Sequence, residues 1–202
     1  KTDASKDYTI TYGTTENDCT LDNSPEYTNA GTYKIYFKVV DNKTLAEHVG
    51  YVTLTINKIA VEIKVEDVTI TYGETPAFSH TVTGLVDGET LSGEAVYSGA
   101  GTDAGEYKIS VSGLSAGDNY TVTVVPGKLA INKKPATVTW TIAESYVYNP
   151  EGQTSLPTAT YDGKEAILIF TKDGIECEFK DAGEYTVTIA DDNNYDLTGS
   201  ET

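Results

Sequence analysis

NAGTYKIYF (29–37), DAGEYKISV (103–111) and DAGEYTVTI (181–189) are three versions of one phrase, and their alanines, Ala30, Ala104 and Ala182, fall 74 and 78 residues apart. Self-similarity at such a period marks a structural unit used in series, and it outranks any shorter motif. After each glycine the residues alternate. Tyr33, Ile35, Phe37 and Val39 share one face, opposite Lys34, Tyr36 and Lys38; Tyr107, Ile109 and Val111, then Tyr185, Val187 and Ile189, do the same. Period-two patterning with one apolar face predicts a half-buried strand. Tyrosine takes the inward phase each time, so it reads as a core landmark and not as a ligand.

A second landmark closes the first two units: VTLTINK (52–58) and GKLAINK (127–133) end in Ile56-Asn57-Lys58 and Ile131-Asn132-Lys133. The boundaries that follow are 1–58, 59–134 and 135–202. The first unit reads as shortened or partial in its first half, since Tyr12 precedes Gly31 by 19 residues where Tyr72 precedes Gly105 by 33. The third has too few residues after Gly183 for a closing strand, which predicts an exposed or borrowed sheet edge there. The junctions INKIAVEIKV and INKKPATVTW carry no glycine-serine tract, and Pro135 restricts the second, so they read as short and stiff. Turns are predicted at Asp87-Gly88, Pro126-Gly127, Asp162-Gly163 and Asp173-Gly174. Helical periodicity is absent, apart from one possible turn in LVDGETL (85–91).

Composition limits the partners. The formal charge is −17 from 31 acidic and 14 basic residues, and every basic residue is lysine. Such a surface lacks the basic footprint that nucleic acid requires and repels anionic membrane. No run of about 18 apolar residues appears, so no membrane insertion is expected in this segment. Cys19 and Cys177 lie in different units and are expected to stay unpaired. Without an initiator methionine or signal peptide, the chain reads as a piece of a longer, exported protein.

The motifs within 60–134 now appear in a telling order: Tyr72-Gly73 opening, Gly84-Leu85 turn, the Ala104-Gly105-x-Tyr107 strand, the Asn119-Tyr120 strand, and the Gly127-Lys128-Leu129-x-Ile131 close. This stretch resembles the MBG domain, the "mostly beta, glycine-rich" module of bacterial surface proteins. The first unit is similar to the bacterial Ig-like repeats found beside such modules. The third is similar too, with Tyr148-Asn149-Pro150 in place of Tyr-Gly. The resemblance implies a tandemly repeated, extracellular segment of a large adhesin-like protein, on the bacterial cell surface or secreted. It carries no catalytic residues, and it implies that any host or matrix ligand is bound through other domains.

Several shorter motifs compete and fail. Gly113-Leu114-Ser115-Ala116-Gly117 matches a nucleophile elbow, but that motif needs a following helix and a later histidine. Here a strand at 119–125 follows, and both histidines, His48 and His80, come earlier. Gly99–Gly105 resembles a dinucleotide loop, yet the helix start that cradles phosphate is replaced by a strand. His48 and His80 lack metal-ligand spacing. Asp191-Asp192-Asn193-Asn194-Tyr195-Asp196, Asp41-Asn42 and Asp118-Asn119 offer oxygen donors for calcium, but the spacing fails the EF-hand pattern and solvated turns are preferred. Lys64 and Lys108 could supply an isopeptide link only from an apolar core, and both fall on the polar phase.

The expectation is therefore an all-β chain of small Ig-like sandwich or β-grasp-like modules, set end to end as an elongated rod. It is expected to be a non-catalytic, monomeric stalk or spacer with no cofactor, metal or catalytic site. Two alternatives stand beside it. The spare tyrosines Tyr8, Tyr27, Tyr36, Tyr146 and Tyr161 could stack on host glycan or protein, or the modules could serve a secreted enzyme.

Overall fold

The computed structural model describes residues 7–198, and within them the chain is all β, with no helix and several separate sheets. In the first repeat, β1 (Tyr8–Gly13), β2 (Gly31–Asp41) and β3 (Glu47–Ile56) form an antiparallel sheet in the order β1-β2-β3.

The second repeat contributes β4 (Ile59–Val65), β5 (Val68–Thr71), β6 (His80–Thr83), β7 (Ser92–Ser98), β8 (Gly105–Ser115), β9 (Tyr120–Val125) and β10 (Gly127–Asn132). They make two sheets, β6-β4-β9 and β5-β10-β8-β7. The third holds β11 (Lys134–Thr137), β12 (Thr139–Thr141), β13 (Thr158–Tyr161), β14 (Lys164–Glu165), β15 (Leu168–Lys172), β16 (Ile175–Glu176), β17 (Thr186–Ile189) and β18 (Tyr195–Thr198). These pair as β11-β18, β12-β13-β14 and β16-β15-β17.

The same register recurs at two places. Gly31 faces Ile56 and Tyr33 faces Leu54 across β2 and β3; Gly105 faces Ile131 and Tyr107 faces Leu129 across β8 and β10. One feature was not legible in the sequence. β4 runs parallel to β9, β5 to β10, and β11 to β18. Alternating side chains look the same in parallel and antiparallel strands, so patterning is blind to strand direction. Pro126 also differs from expectation: it carries the chain from β9 into β10, strands of two different sheets, and Gly127 is buried within β10 and makes no hairpin turn. The two glycine turns of the third repeat behave as read. Asp162-Gly163 and Asp173-Gly174 have positive φ throughout (46°, 77°, 53° and 78°), the two-residue hairpin geometry whose twist suits antiparallel strands.

The chain folds as two compact units. Among the described residues, one comprises 7–65, 80–97 and 111–125; its core holds Ile35, Val61, Ile63, Val65, Val111 and Tyr120. The other comprises 66–79, 98–110 and 126–198; its core holds Ile109, Leu129, Ile131, Val138, Ala159, Tyr161, Val187 and Tyr195. Residues such as Ile63 and Leu129 lose almost all contact with water, which stabilises the fold by about 2 kcal/mol each.

Gly113 explains why the elbow-like motif exists. It sits inside β8 at φ +82°, and a Cβ there would lie 2.3 Å from the Glu94 carbonyl oxygen; Gly93, at φ +93°, meets the Gly113 carbonyl in the same way at 2.1 Å. The two backbones approach where neither can carry a side chain. Gly113→Ala is therefore expected to destabilise the chain by about 3 kcal/mol or more, through strain and backbone displacement. Gly117→Ala, at a similar φ but with open space around it, should cost about 1 kcal/mol. Urea unfolding of the two variants checks the difference.

Candidate interface between consecutive repeats

Each landmark tyrosine closes a turn on its own repeat. The hydroxyls of Tyr33, Tyr107 and Tyr185 donate to the carbonyl oxygens of Asn29, Asp103 and Asp181 at 2.8, 2.9 and 2.9 Å. The ring face is covered by the residue six positions earlier. Tyr27 stacks on Tyr33 at 3.9 Å, Phe179 meets Tyr185 edge-on at 4.8 Å, and Gly101 abuts Tyr107 where a Cβ would stand 2.0 Å from the ring. All three tyrosines are half-buried, followed two residues later by a buried Ile35, Ile109 or Val187. The hydroxyl bond and the burial phase are common to the three sites, while the cover over the ring differs.

The first two of these turns are each held by an asparagine about ninety residues further along the chain. In the first compact unit, Ala30 N donates to Asn119 Oδ1 at 2.7 Å, and Asn119 Nδ2 donates to Asn29 Oδ1 at 3.1 Å. In the second, Ala104 N donates to Asn194 Oδ1 at 2.7 Å, and Asn194 Nδ2 donates to Asp103 Oδ1 at 2.9 Å. The main chain beside each asparagine then anchors the first strand of its own repeat: Ile59 N donates to Asn119 O and Lys134 N to Asn194 O, both at 2.9 Å. A carboxamide is the side chain that can accept from an amide and donate to an Asx oxygen at once. Asn119 and Asn194 read in sequence as calcium donors or solvated turn residues. Instead, each couples one repeat to the next. Only the recurrence of Asn-Tyr hinted at this, since the partners lie about ninety residues away.

The tyrosine after each asparagine is buried and gives its hydroxyl to a carboxylate: Tyr120 to Glu89, and Tyr195 to Asp162 at 2.7 Å. In the third repeat a second pair lies alongside, with Tyr161 donating to Asp192 at 2.7 Å and its ring 5.2 Å from that of Tyr195. Lys134 donates to Asp162 at 2.8 Å, and Lys164 lies 4.5 Å over the Tyr195 ring. The bond from the Asn194 amide, then that from Tyr161, holds the Asp192 carboxyl below its ordinary value. The Asp162 carboxyl is lowered by Lys134 first and Tyr195 second. The Tyr161 phenol is pushed up to about 12, chiefly by its bond to Asp192 and then by burial.

The remaining candidate residues lie apart from this machinery. Asp191 pairs with Lys133 at 3.3 Å, and Asp41 accepts from the amides of Lys43 and Thr44. His80 Nδ1 bonds the Tyr97 hydroxyl at 2.7 Å, and His48 packs near Phe37. Cys19 and Cys177 are free thiols, and Lys64 and Lys108 are exposed. Of the tyrosines read as spare, Tyr161 is a core residue, Tyr27 covers Tyr33 and Tyr146 packs edge-on against Phe179. Tyr8 is exposed, and Tyr36 lies 5.6 Å from the exposed Tyr51. Among the described residues no helix is long and apolar enough to cross a membrane.

Asn119→Ala and Asn194→Ala should each cost about 1–2 kcal/mol and speed amide exchange at Ala30 and Ala104 respectively. Asn194→Asp should be worse than Asn119→Asp, because it sets a carboxylate against Asp103 where residue 119 faces a neutral Asn29. Stability should also depend on pH at both ends. Asp162 and Asp192, lowered in the fold, contribute stability above the ordinary carboxylate value of about 3.9 and lose it as pH falls further. Tyr161, raised from 10.0 to about 12, contributes stability below pH 10 and loses it as pH climbs towards 12. Tyr161→Phe should flatten that alkaline limb in a series of denaturant titrations.

No curated protein and no solved structure matches the chain. Residues 61–130, from β4 to β10 and including Tyr72-Gly73, match the family described as MBG domain (YGX type).

Proposed function

We propose that this chain is a non-catalytic spacer: serial modules of a bacterial surface or secreted protein that hold another domain away from the cell. The observation that carries the reading is the asparagine clasp, made twice with the same atoms and the same phase. Each clasp lies inside one compact unit and ties an earlier turn to a later loop, so that neighbouring segments support one another, as in other repeat arrays where stability comes from neighbouring units. The net charge of −17 suits dense display without self-association. The match to the MBG domain supports placement in a surface protein.

A second reading draws on Tyr51 and Tyr36 on β3 and β2, with Lys34 Nζ 4.4 Å over the Tyr51 ring. An exposed tyrosine beside a half-buried one, with a cation over its ring, offers a stacking platform for host glycan. Small-angle scattering tests the first reading: an extended profile without concentration dependence is expected, and a compact particle would overturn it. A glycan array separates the second, which requires binding that Tyr51→Ala removes.

A further inference from the structure

The third Ala-Gly turn is built like the first two, but its outward groups are unmet. Tyr185 accepts from Asp181 N at 3.0 Å and donates to Asp181 O at 2.9 Å, and Lys172 Nζ donates to Ala182 O at 2.7 Å. These bonds shape the turn from within. The Ala182 amide and the Asp181 carboxylate, whose counterparts grip an asparagine in the first two repeats, have no such partner among the described residues. Ala182 is exposed where Ala30 and Ala104 are half-buried. β17, which continues from the turn, is an edge strand, whereas β2 is paired with β3 and β8 with β10 in one shared register. A cleft of about 410 Å³ opens at this place, lined by Ile142, Tyr146, Phe179, Asp181, Ala182 and Gly183.

We propose that this surface is the acceptor for a succeeding module of the same kind, whose Asn-Tyr asparagine accepts from the Ala182 amide and donates to the Asp181 carboxylate. The occupant is defined by chemistry. A carboxamide offers acceptor and donor together, while an acid cannot donate and a lysine cannot accept. Asp181 repeats the type of Asp103, so the donated bond is charge-assisted. Edge pairing along β17 by a closing strand of the Gly-Lys-Leu-x-Ile type brings that module into reach, as β10 does for β8. The inference rests on the serial reading of the repeats and adds which surface receives the next member.

The test compares amide exchange in the 202-residue chain with that in a chain where residues 124–198 are repeated directly after Thr198. That join keeps the phase, because Tyr120–Thr123 and Tyr195–Thr198 are equivalent. In the 202-residue chain, Ala182 should exchange at least tenfold faster than Ala30 and Ala104 (about the effect of one net hydrogen bond). In the extended chain Ala182 should slow by at least about tenfold, and Asn→Ala at the added copy of Asn194 should reverse this while Ala104 stays slow. Three results overturn the proposal: an Ala182 already protected in the 202-residue chain, one that stays fast after extension, or one whose slowing survives loss of the added asparagine. Protection that rises with concentration of the 202-residue chain would assign the surface to a second copy instead. Fast exchange at Ala182 with slow Ala30 and Ala104 leaves the serial reading standing; fast exchange at all three removes both.

Discussion

The bond from a tyrosine hydroxyl to the carbonyl four residues before it is the constraint on which the other features depend. It holds the Asx-Ala-Gly turn in one shape, with the alanine amide and the Asx side chain facing outward. The tyrosine ring at the same time begins the buried face of β2, β8 and β17. One residue thereby joins turn, strand and core. Its ring is covered differently each time, by Tyr27, by the bare backbone of Gly101, or by Phe179. The hydroxyl contact persists through these changes, so the polar bond is the more strictly specified feature and the apolar cover the more plastic one.

Because the turn is held from within, the asparagine that grips it meets a surface already organised. Little conformational entropy then remains to be lost when the clasp forms. The same loop places Tyr120 or Tyr195 in the core, where a carboxylate takes its hydroxyl. Adjacent residues therefore point in opposite senses, one towards the preceding repeat and one into its own. The grip on a distant turn and the burial of a core tyrosine therefore share a dipeptide.

Acidic and tyrosine residues are abundant, and a function-seeking eye finds motifs among them. The structure gives them ordinary work. Asp192 and Asp162 are acceptors for core phenols, Asp41 shapes a turn, and Gly113 lets two neighbouring strands approach closely. The stretch matched over 61–130 contains both Asn119, which grips an earlier turn, and Ala104, which is gripped by a later asparagine.

The sequence by itself determined the repeat, its period and the inward phase of Tyr33, Tyr107 and Tyr185, because strand alternation and turn chemistry are local and visible along the chain. It also located the Asp-Gly hairpins, whose positive φ is a property of residue type. Tertiary structure alone decided that β4 and β9 run parallel, that Pro126 passes between two sheets, and that Asn119 and Asn194 reach back to an earlier turn. Strand direction and contacts across some ninety residues leave no periodic trace, since they arise only when distant backbone groups must satisfy one another.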